Sequence, residues 1–252
     1  MLVVLSPAKK LNFEQENSLK LESTPTFLHK SKSLSIELKK LSSQKIGKLM
    51  KLSKNLSDLN FERFQNLKLS EHSVDAKQAI FAFNGDTYTG FDVDSLETKH
   101  FDTAQNRLRI LSGLYGVLRP FDKIEPYRLE MGTKLAFDRY KNLYEFWKND
   151  LTDYLNNELS DQKVLVNCAS QEYFGAVDEK KIKGKIITPV FKENRNGELK
   201  IISFSAKKAR GMFARFIIEN NIKDIKDLKT FNQDKYVFNA KLSNDTQLVF
   251  IR

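Results

Sequence analysis

Residues 2–10 read Leu-Val-Val-Leu-Ser-Pro-Ala-Lys-Lys, a run of four apolar side chains that stops abruptly at Ser6-Pro7. Four consecutive apolar residues suit a strand buried on both faces, the kind found inside a sheet covered by helices. Val164–Val166 and Ile186–Phe191 read as further strands. Asn196-Gly197, set between Pro189–Phe191 and Leu199–Phe204, is a hairpin signal. Tyr236–Phe238 and Leu248–Ile251 read as late strands joined by a polar turn at Asn244-Asp245.

The long interval after the first strand is helical in pattern. Leu34, Leu38 and Leu41 mark one helix, and a second starts near Ser42 or Ser43 with Ile46, Leu49 and Met50. Helical pattern continues through Leu59, Phe61 and Phe64, and Ser73 is placed to cap another helix with Ala76, Ala79, Ile80 and Phe83 inward. The polar stretch from Pro7 to about Lys30 reads as loop, as does Asn84–Gly90. Asp102 begins a helix through Ala104, Leu108 and Leu111, after which Gly113 and Gly116 turn the chain. Asn142 to about Ser160 carries apolar residues at helical spacing. There is no internal repeat and no linker. The expected fold is α/β: one domain over residues 1–252, with a mixed sheet, a helical insertion after the first strand, and a positively charged cleft.

The 252 residues include 42 Lys and Arg against 32 Asp and Glu, a net charge of +10. That balance favours polyanionic or phosphorylated partners without choosing among them. The single cysteine, Cys168, excludes an intrachain disulfide and suits a reducing compartment. No apolar stretch approaches the ~20 residues that span a bilayer, and the start lacks a signal-peptide pattern. The expectation is a soluble cytoplasmic protein without a membrane partner.

Basic charge concentrates at Ser203–Asn220. Ser205 reads as an N-cap, which puts Lys207 and Lys208 in the first helical turn, with Arg210 and Arg215 after them and no acid up to Ile218. A helix start with added ammonium groups suits an anion, above all phosphate. The plain alternative is a solvated basic face of a Lys-rich chain. Three polar segments begin where expected strands end: Ser6–Lys10, Asn167–Tyr173 and Ser205–Gly211. If their strands run parallel, the segments line one cleft; if one strand is antiparallel, the coincidence dissolves. Within it Glu172 is a candidate general acid or base, and Ser170 or Cys168 a candidate nucleophile. The competing reading makes Cys168 a small buried residue and Ser170 a helix cap.

Arg107, Arg109 and Arg119 form a second cationic cluster beside the turn Gly113–Gly116. That turn resembles the glycine hairpin of helix-hairpin-helix motifs with one residue too many. Lys45, Lys48, Lys51 and Lys54 are spaced by three, a spacing that drifts about a sixth of a turn per step, so only neighbours share a face. His29, His72 and His100 are isolated, no metal site of usual spacing can be drawn, and neither a phosphate-binding loop nor a dinucleotide fingerprint is present. No metal or cofactor is expected.

Several segments together resemble the YaaA family of bacterial peroxide-stress proteins: Leu5–Asn12, Phe83–Gly90, Leu111–Pro120, Pro126–Gly132, Asn167–Phe174 and Ala206–Gly211. They follow the family's order and span the chain. Lys10 and Asn12 stand where Thr and Asp are common, and Ser205 where an aromatic is common. The resemblance implies a cytoplasmic protein that protects against hydrogen peroxide by limiting free intracellular iron. It also implies double-stranded DNA binding through a basic cleft, in a fold with a helix-hairpin-helix-like element. On that view Lys9, Lys10, Lys207, Lys208, Arg210 and Arg215, with Arg107, Arg109, Arg119 and Arg128, contact the phosphate backbone. The alternative is an enzyme acting on a nucleotide or other phosphorylated small molecule. Its pocket is sought among Ser6, Asp86, Glu130, Ser170, Glu172 and Tyr173, because Asn84–Gly90, Tyr127–Gly132 and Asn167–Tyr173 are dense in polar and glycine residues.

Overall fold

Leu2–Leu5 forms the central strand, β1, with all four side chains buried. The computed structural model describes residues 1–14, 21–159 and 163–252. Leu108–Ser112 (β2) and Val164–Asn167 (β4) flank β1, both parallel to it. Beyond β4 lie Lys185–Arg195 (β5) and then Gln247–Ile251 (β8), again parallel. Gly116–Leu118 (β3) on β2, Glu198–Lys200 (β6) on β5 and Val237–Phe238 (β7) on β8 are antiparallel. The sheet is mixed, in the order β7-β8-β5-β4-β1-β2-β3 with β6 beside β5. Side chains of β5 alternate between buried and partly exposed over Ile186–Glu193, as expected toward the flank of the sheet.

The helices at Leu28–Lys39, Ser43–Met50, Lys54–Asn66 and Leu143–Glu158 fall where their apolar spacing predicts. Two begin at side-chain caps. Ser42 Oγ accepts from the Lys45 N–H at 3.3 Å, and Asn142 Oδ1 from the Glu145 N–H at 3.0 Å. The four-lysine series is split: Lys51 ends its helix in a left-handed conformation, and Lys54 starts the next one paired with Asp58. Part of the loop expected before Lys30, residues 15–20, lies outside the described residues, as does Ser160.

Four expectations need correction. The helix begun at Phe101 stops at Arg107, and the next five residues are β2. Leu108 and Leu111 fit a helical period equally well; pairing with β1 decides for strand. The helix expected from Ser73 is reduced to one turn, Ala79–Ala82, between the short strands Lys77–Gln78 and Phe83–Asn84. Asn84–Gly90 is not loop: Asp86–Phe91 is helical. Its Thr-Tyr-Thr-Gly content has poor intrinsic propensity, so tertiary packing forms it. Finally, the helix Ser203–Glu219 starts two residues before Ser205, after Ile202 and without a side-chain cap. Ser205 is buried and accepts from Arg252 Nη2 at 3.1 Å. Lys207 and Lys208 therefore occupy the second turn, where the helix dipole opposes them less.

Ser203–Glu219 docks on the sheet through Phe213, whose ring meets those of Phe231 at 5.1 Å and Phe250 at 5.3 Å. It packs against Asp86–Phe91 at backbone distance. A Cβ on Gly90 would sit 2.0 Å from the Lys208 carbonyl oxygen, and one on Gly211 1.8 Å from that of Thr87. Arg215 locks the same contact, donating to Phe91 O at 3.0 Å, Ser95 Oγ at 2.8 Å and Ser95 O at 3.0 Å.

Asp122 ties the far side of the insertion to the sheet. Its buried carboxylate accepts from Ser23 Oγ at 2.6 Å and from the Arg119 N–H at 2.8 Å. Burial nevertheless dominates and raises its pKa to about 6. The unfolded carboxyl titrates near ~4, so the folded state binds the proton more tightly between those values, and this residue's contribution falls as pH rises through them. The stability of wild type relative to Asp122→Asn should therefore increase from pH 7 to pH 4, by up to about 3 kcal/mol. Urea melts at both pH values measure this; a difference that is flat or of opposite slope refutes it.

Among the described residues no helix is long and apolar enough to cross a membrane.

Candidate functional site

From β1 the chain crosses to β2 on one side and later returns to β4 on the other. Such reversal points leave a crevice beyond the carboxyl ends of the parallel strands. The segments leaving β1 and β4 meet there. The Ser170 N–H donates to Ser6 Oγ at 2.8 Å, and Ser6 Oγ donates to Ser170 Oγ at 3.2 Å. Ser170 stands at the N-cap position of Gln171–Phe174 but makes no side-chain cap bond; its hydroxyl faces Ser6 instead. Tyr88 OH donates to the Ser6 carbonyl at 3.0 Å, which hangs the Asp86–Phe91 helix on the same strand end.

The opposite wall comes from Ser203–Glu219, which presents Lys207 and Arg210. The three segments singled out in sequence thus line one cleft of about 450 Å³. The third arrives by another route than a parallel strand end. The strand before it, β6, is antiparallel, and the glycine-mediated contact with Asp86–Phe91 brings its helix over the crevice. Ser6, Lys9, Lys10, Asp86, Ser170, Glu172 and Tyr173 all line the cleft. Asn84, Gly85, Thr87 and Tyr88 join them; the polar, glycine-bearing composition of that segment was the available signal.

Charge in the cleft is predominantly basic, with Lys9, Lys10, Lys207 and Arg210 against Asp86 and Glu172. Arg210 is half-buried, makes no hydrogen bond or ion pair with another described residue, and burial lowers its pKa. Lys10 and Lys207 are exposed at the rim. Lys208 is exposed too but does not line the cleft. Glu172 Oε1 accepts from the Gly132 N–H at 3.2 Å. Burial pushes the phenol of Tyr173 far up, so it remains a protonated donor at neutral pH. Glu130 lies behind Lys9, joined to it at 3.3 Å and to Arg128 Nη2 at 2.9 Å through Oε1; its Oε2 is buried without a partner.

Five of the expected phosphate contacts are engaged within the fold. Arg107 is buried and donates to Met1 O, Asn221 Oδ1 and Ile222 O. Arg109, 1% exposed, pairs with Glu158 and donates to Gln105 O at 2.8 Å. Arg119 Nη2 lies 3.5 Å from Glu158. Arg128 is held by Glu130, and Arg215 by Glu219 at 2.8 Å as well as by the 91–95 carbonyls. Arg107, Arg109, Arg128 and Arg215 brace the structure, whereas Arg119 keeps 40% of its side chain exposed. Gly113–Gly116 is the turn of the antiparallel β2–β3 pair, with Trp147 Nε1 donating to Gly113 O at 2.9 Å. Strands on both sides of the turn replace the helices that a helix-hairpin-helix element requires. Among the described residues no group of three or more His, Cys, Asp and Glu is arranged to hold a metal ion.

A family model described as "Peroxide stress protein YaaA" matches residues 1–242. The chain belongs to the YaaA family. It is 49% identical over 254 residues to a UPF0246 protein of Idiomarina loihiensis, covering 100% of this chain and 98% of the relative. A UPF0246 protein of Shewanella sp. is 48% identical over 255 residues, with 100% and 99% covered. One from Burkholderia orbicola is 47% identical over 256 residues, with 100% and 98% covered.

A peroxide stress protein of the YaaA family with one cysteine invites a thiol mechanism, and the geometry opposes it. Cys168 is 2% exposed, and burial pushes its thiol up to about 12. Peroxide and alkylating agents react with the thiolate. Cys168 in the folded protein should therefore resist iodoacetamide at pH 7.5 while reacting readily in urea. Rapid labelling of the native chain, followed by mass spectrometry, would contradict this.

Proposed function

We propose that this YaaA-family protein binds a small phosphorylated ligand, of nucleotide size, in the cleft between the β1 and β4 ends and Ser203–Glu219. The observation that carries the reading is Arg210, a half-buried guanidinium without an acidic partner, facing a cleft whose other wall offers the Ser6–Ser170 hydroxyls. A desolvated cation is costly until an anion meets it, and a guanidinium suits the geometry of phosphate. The cleft volume of about 450 Å³ is in the range of small-molecule sites. Turnover of such a ligand would draw on Glu172 as general acid or base.

The exposed lysines support a second reading, double-stranded DNA held along the rim by Lys9, Lys10, Lys207 and Lys208. Four phosphate contacts correspond to a log–log salt slope of about −3.6. Calorimetric titration with mononucleotides and inorganic phosphate, beside anisotropy of a labelled duplex across a salt series, separates the two. Saturable nucleotide binding supports the pocket. Tight, salt-steep duplex binding that nucleotides neither share nor compete with overturns the pocket in favour of DNA.

Protection against peroxide in the cytoplasm, with limited free iron, would on either reading follow from ligand binding. Measuring free iron in cells that carry wild type or Arg210→Ala tests that link; equal iron levels in both break it.

A further inference from the structure

A second cavity, of about 440 Å³, lies between the Lys54–Asn66 helix and Glu125-Pro126 and shares no lining residue with the cleft. Five charged side chains reach it, and the fold accounts for three. Lys68 Nζ pairs with Asp75 Oδ2 at 2.8 Å. Both oxygens of Glu125 accept backbone N–H groups, from Lys68 at 2.8 Å and Leu69 at 2.7 Å. The remaining two, Glu62 and Arg63, make no hydrogen bond or ion pair with another described residue.

Arg63 is partly buried, and burial together with the charge of Arg128 lowers its pKa. A guanidinium partly out of water, beside a second cation and without a counter-ion, favours a bound carboxylate. Glu62, next along the same helix, leaves a negative charge over. The Glu125 carboxylate, fixed in the wall by two backbone N–H groups, disfavours a phosphate dianion. Leu59, Leu67 and Pro126 supply apolar surface. The unspent features are thus one cation, one anion and an apolar wall.

We propose that this cavity binds a zwitterionic small molecule of the α-amino-acid class, its carboxylate on Arg63, its ammonium on Glu62 and its apolar side chain against Leu59, Leu67 and Pro126. The site is independent of the phosphate-binding cleft.

Calorimetric titration of the full chain with leucine tests it, with N-acetyl-leucine and 3-methylbutylamine as ligands lacking one charge each. Leucine should bind saturably, and each single-charge analogue at least about tenfold more weakly, as loss of a charged hydrogen bond implies. Arg63→Ala and Glu62→Gln should each weaken leucine by at least about tenfold, and Arg63→Lys by less than Arg63→Ala. Arg210→Ala should leave leucine binding unchanged, which keeps failure of this site distinct from failure of the cleft. The proposal is overturned if no α-amino acid binds at about 10 mM, a concentration that reveals even millimolar affinity. It is equally overturned if N-acetyl-leucine matches leucine, or if binding survives both Arg63→Ala and Glu62→Gln with wild-type melting temperatures.

Discussion

Gly211→Ala should destabilise the protein by about 3 kcal/mol, although the same change in an open helix gains about 1 kcal/mol. The reversal follows from position. The new Cβ would lie 1.8 Å from Thr87 O and 2.7 Å from Phe91 N, both backbone atoms that no rotamer change can move. The two helices must separate, and Arg215 then loses its carbonyl partners at Phe91 and Ser95. For a chain of 252 residues the melting temperature should fall by about 6–12 °C. Gly90→Ala should act alike, its Cβ meeting Lys208 O at 2.0 Å. Because both substitutions open one interface, the double variant should lose less than the sum of the two. Ligand affinity should drop with them, since Lys207 and Arg210 ride on the displaced helix. An unchanged or raised melting temperature in Gly211→Ala would show that the contact is not as close as described.

Arg210→Ala should weaken binding of the proposed phosphorylated ligand by about 100-fold, the scale of a buried charge contact, while leaving the free protein as stable as before or slightly more so. The two effects differ in direction for one reason. Without a ligand the guanidinium has no described partner and has lost part of its hydration. With the proposed phosphorylated ligand bound, it would supply the principal counter-charge. Arg107 offers the contrast: it has comparable charge, but its guanidinium is spent on Met1, Asn221 and Ile222, so Arg107→Ala should damage stability. Calorimetry and thermal melts on both variants distinguish these roles. Affinity unchanged within about threefold in Arg210→Ala would remove Arg210 from the site and the proposed function with it.

Much of this arrangement was legible in the sequence, though unevenly. Continuous apolar runs identified β1, β4 and β8, and the β-branched and aromatic content of Ile186–Phe191 identified β5. Capped amphipathic stretches identified Ser43–Met50 and Leu143–Glu158. The convergence of Ser6–Lys10 and Asn167–Tyr173 followed from parallel strand ends, whereas the basic helix joins them through its contact with Asp86–Phe91 and not from a parallel strand end. What escaped depends on partners far along the chain. Arg109 looked available because its neighbours carry no acid, yet Glu158, 49 positions away, takes it. Leu108–Ser112 has the period of either element until β1 pairs with it. Asp86–Phe91 becomes a helix because Gly211 lets another helix come within backbone distance. Ser205 had the chemistry of a cap, but burial beside Arg252 gave it different work.

The Arg215 contacts bear on the speed of binding as well as on its strength. By fastening Ser203–Glu219 to residues 91–95, they join two walls of the cleft. A preformed site spares the ligand the cost of ordering it and sets no conformational gate on association. Exposed lining side chains, Lys9 and Lys10 among them, border the opening. Association should then approach the rate of an electrostatically steered encounter and slow as salt rises, with selectivity expressed in how long the ligand stays.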